Sequence, residues 1–298
     1  MSAVSIKKGP ITLAALLFSP PSPSTSPALV IVHPGGGVKE QTANTYARAL
    51  AAAGFTTLTY DAEYQGESGG QPHFLEDPAS RIRDVSAAVN YLQTLPSIDP
   101  NKIGVLGICA GGGYAVAAAI ADHRLGAVAT VSCVNIGDSA RLGWAGDENP
   151  SKHVETLQNV AHQITADNMA GSEPASAPYV PPQPDSDTPA DLREAADYYL
   201  TPRAQHPRAA NTMLLQSVPR IMTFDAFYLA DVFLKQPLLL IAGDKAGSLW
   251  HTEKLDKLVG GATKKIIVPG ATHMDFYDKD PVQPAIEEIA SFMKANLG

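Results

Sequence analysis

Between Ala28 and Val134 short apolar runs alternate with stretches of helical spacing, a rhythm that few folds accommodate. The runs Ala28–His33, Phe55–Tyr60, Lys102–Ile108 and Ala127–Val134 read as strands. They are continuously apolar, as strands buried on both faces of a parallel sheet must be. Between them, helices are expected over Lys39–Ala53, stopped by Gly54, over Asp77–Leu95, with Ile82, Val85, Val89 and Leu92 on one face, and over Cys109–Ala121. The rhythm resumes with a strand at Pro237–Ala242, a helix from Leu249 to Val259, a strand at Lys265–Val268 and a last helix over Pro281–Ala295. Such alternation predicts an α/β architecture around a mostly parallel, doubly wound sheet.

Two segments depart from it. Val4–Lys7 and Ile11–Phe18, separated by Gly9-Pro10, read as an N-terminal hairpin, followed by a linking loop at Pro20-Pro21-Ser22-Pro23. Lys7 and Lys8 ahead of an apolar run loosely imitate a signal peptide, but no small-x-small site follows, so a cytoplasmic location is expected. Residues 135–233 interrupt the strand–helix order. They carry expected helices at Lys152–Asn168 and Pro189–Tyr199, the second with Thr188 as N-cap and Pro189 in the first helical position. The proline-rich stretch Glu173–Ala190 joins them. A loop of this length inside a compact unit suits a surface lid. The chain is therefore read as one domain, 1–298, with a cap inserted at 135–233.

Composition narrows the partners. A net charge of −8 argues against nucleic acid or an anionic membrane surface, which require a basic patch. No apolar stretch is long enough to span a bilayer. The two cysteines, Cys109 and Cys133, form no disulfide framework, and the absence of CxxC, HExxH or a His/Cys cluster gives a metal site no support.

Gly107-Ile108-Cys109-Ala110-Gly111 stands at an expected strand-to-helix junction. It matches the small-x-nucleophile-x-small elbow, with cysteine in the usual place of serine. Small neighbours let the backbone fold back sharply, and the N–H groups of the helix that follows favour a thiolate. The plainer alternative, a buried structural cysteine, suits Cys133 better, which lacks this context. A dinucleotide fingerprint fails because GxGxxG counted from Gly107 requires glycine at Cys109, and a phosphate loop fails because no Gly-Lys-Ser/Thr follows.

Directly after the first parallel strand, His33-Pro34-Gly35-Gly36-Gly37 offers backbone N–H groups at close approach. Gly35 and Gly36, with Ala110, are the candidate oxyanion donors, Gly36 and Ala110 foremost, and His33 is read as fixing the loop. His273 follows the last strand, the place of the base in the order nucleophile, acid, histidine. His251 competes but falls within a helical stretch, where a surface role is expected. The acid ordinarily stands three residues after the glycine that closes the preceding strand. From Gly243 that position is Ala246. Asp244 is the candidate instead, with Asp225 and Asp275 as alternates. Glu63, after strand Phe55–Tyr60, is a candidate to face the thiol, against the plainer reading of a solvated loop carboxylate.

Taken in order, HPGGGVKEQ (33–41), YDAEYQGESGG (60–70), GICAGGGYA (107–115) and GATHMDFYD (270–278) resemble the dienelactone-hydrolase-like branch of the α/β-hydrolases. The likeness is greatest to the group of fungal polyketide transferases and their bacterial relatives. The resemblance implies the α/β-hydrolase fold, a Cys109–His273 pair and no cofactor. It also implies a small-molecule ester, lactone or thioester as substrate, with some members passing the acyl group to an alcohol. Three functions stay open at this point: a hydrolase working through an acyl-enzyme on Cys109, an acyltransferase handing a polyketide-type acyl group to an alcohol, and a non-catalytic binding protein on a hydrolase scaffold. Oligomeric state stays open too, a homodimer included.

Overall fold

A computed structural model describes residues 1–21 and 26–298; of the linking loop expected at Pro20–Pro23, Ser22 and Pro23 lie outside the described residues. The hairpin pairs β1 (Ser2–Lys8) with β2 (Ile11–Phe18), turning at Gly9, whose φ of 56° favours glycine. There follow β3 (Ser26–Val32), α1 (Thr42–Ala52), β4 (Thr56–Tyr60), α2 (Pro78–Gln93), β5 (Ile98–Ile108), α3 (Ala110–Ala121) and β6 (Leu125–Val131). The inserted segment contributes α4 (Ile136–Leu142), α5 (His153–Ala170), β7 (Ser176–Ala177), α6 (Ala190–Leu200), β8 (Met213–Leu214), α7 (Ser217–Met222) and α8 (Ala230–Phe233). The chain closes with β9 (Leu238–Gly243), α9 (Leu249–Leu258), β10 (Lys264–Val268), α10 (Asp275–Asp278) and α11 (Val282–Leu297).

The main sheet runs β1-β2-β4-β3-β5-β6-β9-β10. The hairpin joins β4 antiparallel, and every pair from β4 to β10 is parallel. Two apolar layers account for the uninterrupted strand runs. Leu29, Ile31, Leu106 and Ile108 face α1 and α11, packing with Tyr46, Leu50, Ile289 and Met293. Ala28, Val30, Val32, Ile103 and Val105 face α2 and α3, packing with Val85, Val89, Leu92 and Tyr114. Alternate residues of one strand thus feed opposite layers, and the polar side chains buried within the sheet are small ones such as Thr57, Thr59 and Thr130. Asp77 caps α2 by accepting from the backbone of Ala79 and Ser80, with Pro78 in the first turn. Among the described residues no helix is long and apolar enough to cross a membrane.

The inserted segment departs from expectation in detail. Pro189 is itself the N-cap of α6, with φ −48° and ψ 141°, and the Thr188 hydroxyl turns back to Asp185 at 2.8 Å. Short helices α4, α7 and α8 stand where none was expected. They are held by tertiary bonds such as Arg141 Nη1 to the carbonyls of Met222 (2.7 Å) and Phe224 (2.6 Å).

The chain crosses from β4 over β3 to reach β5, so helices leave the ends of β3 and β5 toward opposite faces of the sheet. Such a switch point opens a crevice at the carboxyl ends of the strands. The glycine loop after β3 and Cys109 after β5 both stand there.

Candidate active site

Cys109 occupies the turn between β5 and α3 with φ 56° and ψ −126°, a conformation that costs a residue with a Cβ energy. Three backbone bonds hold it, from Cys109 N to the Val131 carbonyl (3.0 Å) and from Val134 N and Gly112 N to the Cys109 carbonyl (2.9 Å each). The flanking glycines are obligatory on steric grounds. A Cβ on Gly107 would lie 2.2 Å from the Gly111 carbonyl oxygen, and one on Gly111 would lie 2.2 Å from that of Val32. Cys133, by contrast, is fully buried, and burial raises its thiol well out of the reactive range.

The Cys109 thiol opens into a cavity of about 350 Å³ and meets the imidazole of His273. Burial by itself would raise the thiol pKa. The charge and hydrogen bond of His273, the Tyr277 hydroxyl and the Ala110 N–H outweigh that and bring it below the ordinary thiol range. His273 moves the other way. Its burial disfavours the cation, but the Cys109 thiolate, with Asp191 and Glu194 further off, raises it above the ordinary imidazole range. The pair is thus biased toward thiolate and imidazolium.

His273 is held on every side. Its Nδ1 lies 2.6 Å from Ser248 Oγ, its Nε2 3.4 Å from the Tyr277 hydroxyl, and its carbonyl accepts from Ser132 Oγ at 3.3 Å. Trp144 packs edge-on to the ring at 5.3 Å between centroids. The residue at Nδ1, where an acid was expected, is therefore a serine. Asp244 does not reach the imidazole. Its Oδ1 accepts from Gly270 N at 2.7 Å, and its side chain is part-exposed beside Lys245. The cause is local: Asp244 N bonds the Val268 carbonyl and Lys245 N that of Ala271, which aims Asp244 along the loop after β10. Ser248, four residues later, turns inward as α9 begins and is 1% exposed. The alternates also lie elsewhere: Asp225 accepts from Asn135 Nδ2 (2.7 Å), and Asp275 from Thr272 N (2.9 Å) and Lys279 (2.8 Å).

The carboxylate that does border the cavity, Asp191 of α6, carries no motif by which sequence reasoning could have selected it. It accepts from Trp144 Nε1 (2.9 Å), Gly247 N (2.7 Å) and the backbone N–H of His273 (3.4 Å), tying the insertion to the histidine loop. Among the described lining residues Asp191 is the one carboxylate and no Lys or Arg stands with it; beside Cys109, His273 and the tyrosines, the walls are built by side chains such as Ile136, Trp144, Val180, Leu192 and Met274.

Gly35 lines this cavity beside Ala110. Gly36, at φ 68°, sits under the Tyr179 ring, where a Cβ would meet Tyr179 Cγ at 2.9 Å, and it borders a separate small space. Gly35, more than Gly36, therefore presents its backbone to the chamber. His33 is fully buried, with Nδ1 on the Pro34 carbonyl (2.6 Å) and Nε2 accepting from Ala62 N (3.1 Å). Burial and the neighbouring Arg81 push its pKa far down, so it remains a neutral loop fastener. Glu63 faces away from the thiol: it pairs with Lys8 at 2.6 Å, and its N–H bonds Asp84. His251 is not at the surface. It is fully buried on α9 and shifted to about 3, mainly by burial and then by the charge of His273.

A model of the dienelactone hydrolase family matches residues 13–171. Over 296 residues the chain is 46% identical to the uncharacterized protein YcjY of Escherichia coli K12, covering 96% of this chain and 95% of that one. The crystal structure of hypothetical protein PA2218 from Pseudomonas aeruginosa, 34% identical, superposes with a TM-score of 0.92 over 99% of this chain and 93% of that chain. A polyketide transferase of Penicillium crustosum, claH, is 26% identical over 91% of this chain and 88% of its own length.

Proposed function

The chain belongs to the dienelactone hydrolase family and is an α/β-hydrolase enzyme, and from that premise we propose that it cleaves uncharged esters or thioesters through an acyl intermediate on Cys109. The observation that carries this reading is the placement of Cys109 on a strained elbow against His273, each shifting the other toward the ion pair.

In this mechanism the thiolate attacks the acyl carbon, and the developing oxyanion is received by the N–H groups of Ala110 and Gly35. Each such donor contributes on the order of 3 kcal/mol to the transition state. The imidazolium of His273 gives its proton to the departing alcohol or thiol, and the thioester on Cys109 remains. An incoming hydroxyl compound then loses its proton to His273 as it attacks, and the thiolate is expelled. Ser248 accepts from Nδ1–H and keeps Nε2 turned to the sulfur. Asp244 and Glu63 have no part in it.

The walls favour a neutral acyl group. A carboxylate-bearing substrate would find no Lys or Arg among the lining residues and would meet Asp191. Residues 135–233 act as the cap of a single catalytic domain, supplying Trp144, Tyr179 and Asp191. The relative named as a polyketide transferase keeps acyl transfer as the second reading.

The deciding experiment is intact-mass spectrometry after mixing the protein with p-nitrophenyl esters and acyl thioesters of increasing chain length. A mass increase equal to the acyl group, absent in Cys109→Ala, is expected. No adduct with any donor, together with unaltered turnover in Cys109→Ala, would overturn the proposal and favour a binding role or another nucleophile.

A further inference from the structure

Three spaces share walls. The chamber over Cys109 holds about 350 Å³, and an open outer cleft, partly lined by the polar side chains Gln205, His206 and Asn211, holds about 510 Å³. A third space of only about 10 Å³ adjoins both. It shares Gly35, Tyr179, Val180 and Tyr199 with the chamber, and Tyr199, Ala209 and Asn211 with the cleft. Tyr199, near the end of α6, is common to all three.

The walls of this neck are unequally fixed. Asn211, at φ 51°, is clamped through its amide to both backbone groups of Val180 at 2.9 Å. Tyr179 is anchored by its hydroxyl to the buried Glu76 at 2.7 Å. The Tyr199 hydroxyl is buried and has no hydrogen-bond partner among the described residues. Its ring rests edge-on against Tyr198 and Tyr277, at 4.9 and 6.3 Å between centroids. Tyr277 in turn places its hydroxyl 3.4 Å from His273 Nε2. Tyr199 thus stands one side chain, Tyr277, away from the imidazole edge that takes the proton.

We propose that this neck is the entry route for the nucleophile that releases the acyl group, and that Tyr199 restricts it to water. The proposal rests on the Cys109 acyl-enzyme reading and decides between its two outcomes. A space of about 10 Å³ accommodates roughly one water molecule. In the releasing step, the water oxygen bonds to the acyl carbon and its proton passes to His273. The C–S bond then breaks, leaving the carboxylic acid, and the thiolate regains its imidazolium partner. An alcohol entering the same way would give an ester by the same balance, but its carbon chain does not fit past Tyr199.

The test uses a p-nitrophenyl ester as donor in buffer containing methanol, ethanol or n-butanol, with separate measurement of the p-nitrophenol burst and of the acid-to-ester product ratio. Wild type is expected to give a stoichiometric burst, mostly acid, and an ester fraction that falls from methanol to n-butanol. Tyr199→Ala opens the neck and should raise the butyl ester fraction about tenfold, the order by which a pocket discriminates a few methylenes. Ala209→Leu fills it from the cleft side, keeping the burst while slowing deacylation about tenfold, so that acyl-Cys109 accumulates. A product ratio unchanged in Tyr199→Ala, with Ala209→Leu deacylating at the wild-type rate, overturns the passage while leaving the acyl-enzyme intact. Absence of both burst and adduct in wild type overturns the acyl-enzyme itself.

Discussion

Ser248 Oγ lies 2.6 Å from His273 Nδ1, in the position where a carboxylate would be sought. A hydroxyl can fix the ring and its tautomer, but it brings no charge to stabilise the imidazolium. That task falls to the Cys109 thiolate and, at longer range, to Asp191 and Glu194. Ser248→Ala should reduce kcat/KM by about tenfold to a hundredfold, the equivalent of one hydrogen bond to a charged group. Ser248→Thr, which retains the hydroxyl, should recover most of the loss. Steady-state kinetics on one ester substrate checks both, and equal loss in the two variants would show that packing rather than the hydroxyl matters.

The opposed shifts of Cys109 and His273 set the pH dependence. As pH rises through the lowered thiol pKa the thiolate forms and kcat/KM climbs. The fall in kcat/KM at the alkaline side reports the raised imidazole pKa, where His273 loses the proton that the leaving group needs. The acid limb is therefore expected below the ordinary thiol range and the alkaline limb above the ordinary imidazole range. Alkylation of Cys109 by iodoacetamide followed against pH isolates the first limb. In His273→Asn burial is left with less to oppose it, and the inflection should move upward.

The sheet and the elbow were legible for steric reasons that act locally. Val30 and Ile31 feed opposite apolar layers, so their run must be uninterrupted, and Gly107 and Gly111 are required by backbone atoms within a few residues or on the adjacent strand. The partner of His273 was not legible. It depends on where α9 begins after Gly243, and buried serines leave no pattern that separates Ser248 from others. Glu63 was misplaced for a related reason: its partner Lys8 is on a strand 55 residues earlier. Asp191 and the short helices of the insertion answer to contacts such as Asp191 with Gly247 and Arg141 with Phe224, which no local periodicity records.

Glu76 joins the cap to the glycine loop. Fully buried, it accepts from the hydroxyls of Tyr114 (2.6 Å) and Tyr179 (2.7 Å) and faces Arg81 at 3.6 Å, while Arg81 donates to the His33 carbonyl at 2.7 Å. Glu76→Ala leaves a buried guanidinium without its counter-charge and should destabilise the fold by about 3–5 kcal/mol. Tyr179→Phe keeps the ring over Gly35 and Gly36 but gives up one bond to the carboxylate. It should remain folded and show a raised KM with a smaller change in kcat. Thermal denaturation and steady-state kinetics of the two variants separate the stabilising role from the positioning one.

The steric account of the elbow is tested by two alanine substitutions of equal size. At Gly126 an added Cβ meets the tip of the Leu297 side chain at 3.0 Å, a side-chain rather than a backbone neighbour. At Gly111 it meets the Val32 carbonyl oxygen at 2.2 Å and that of His33 at 2.7 Å, both in the backbone that carries the glycine loop. Gly126→Ala should cost well under 1 kcal/mol, whereas Gly111→Ala should cost about 1–3 kcal/mol or more by overpacking. Because α3 can relieve the collision only by moving, Gly111→Ala should also shift the Ala110 N–H away from the sulfur. The iodoacetamide inflection of Cys109 should then rise in Gly111→Ala and stay in place in Gly126→Ala. Equal melting temperatures and equal inflections in the two variants would mean that the turn at Cys109 tolerates a side chain there after all.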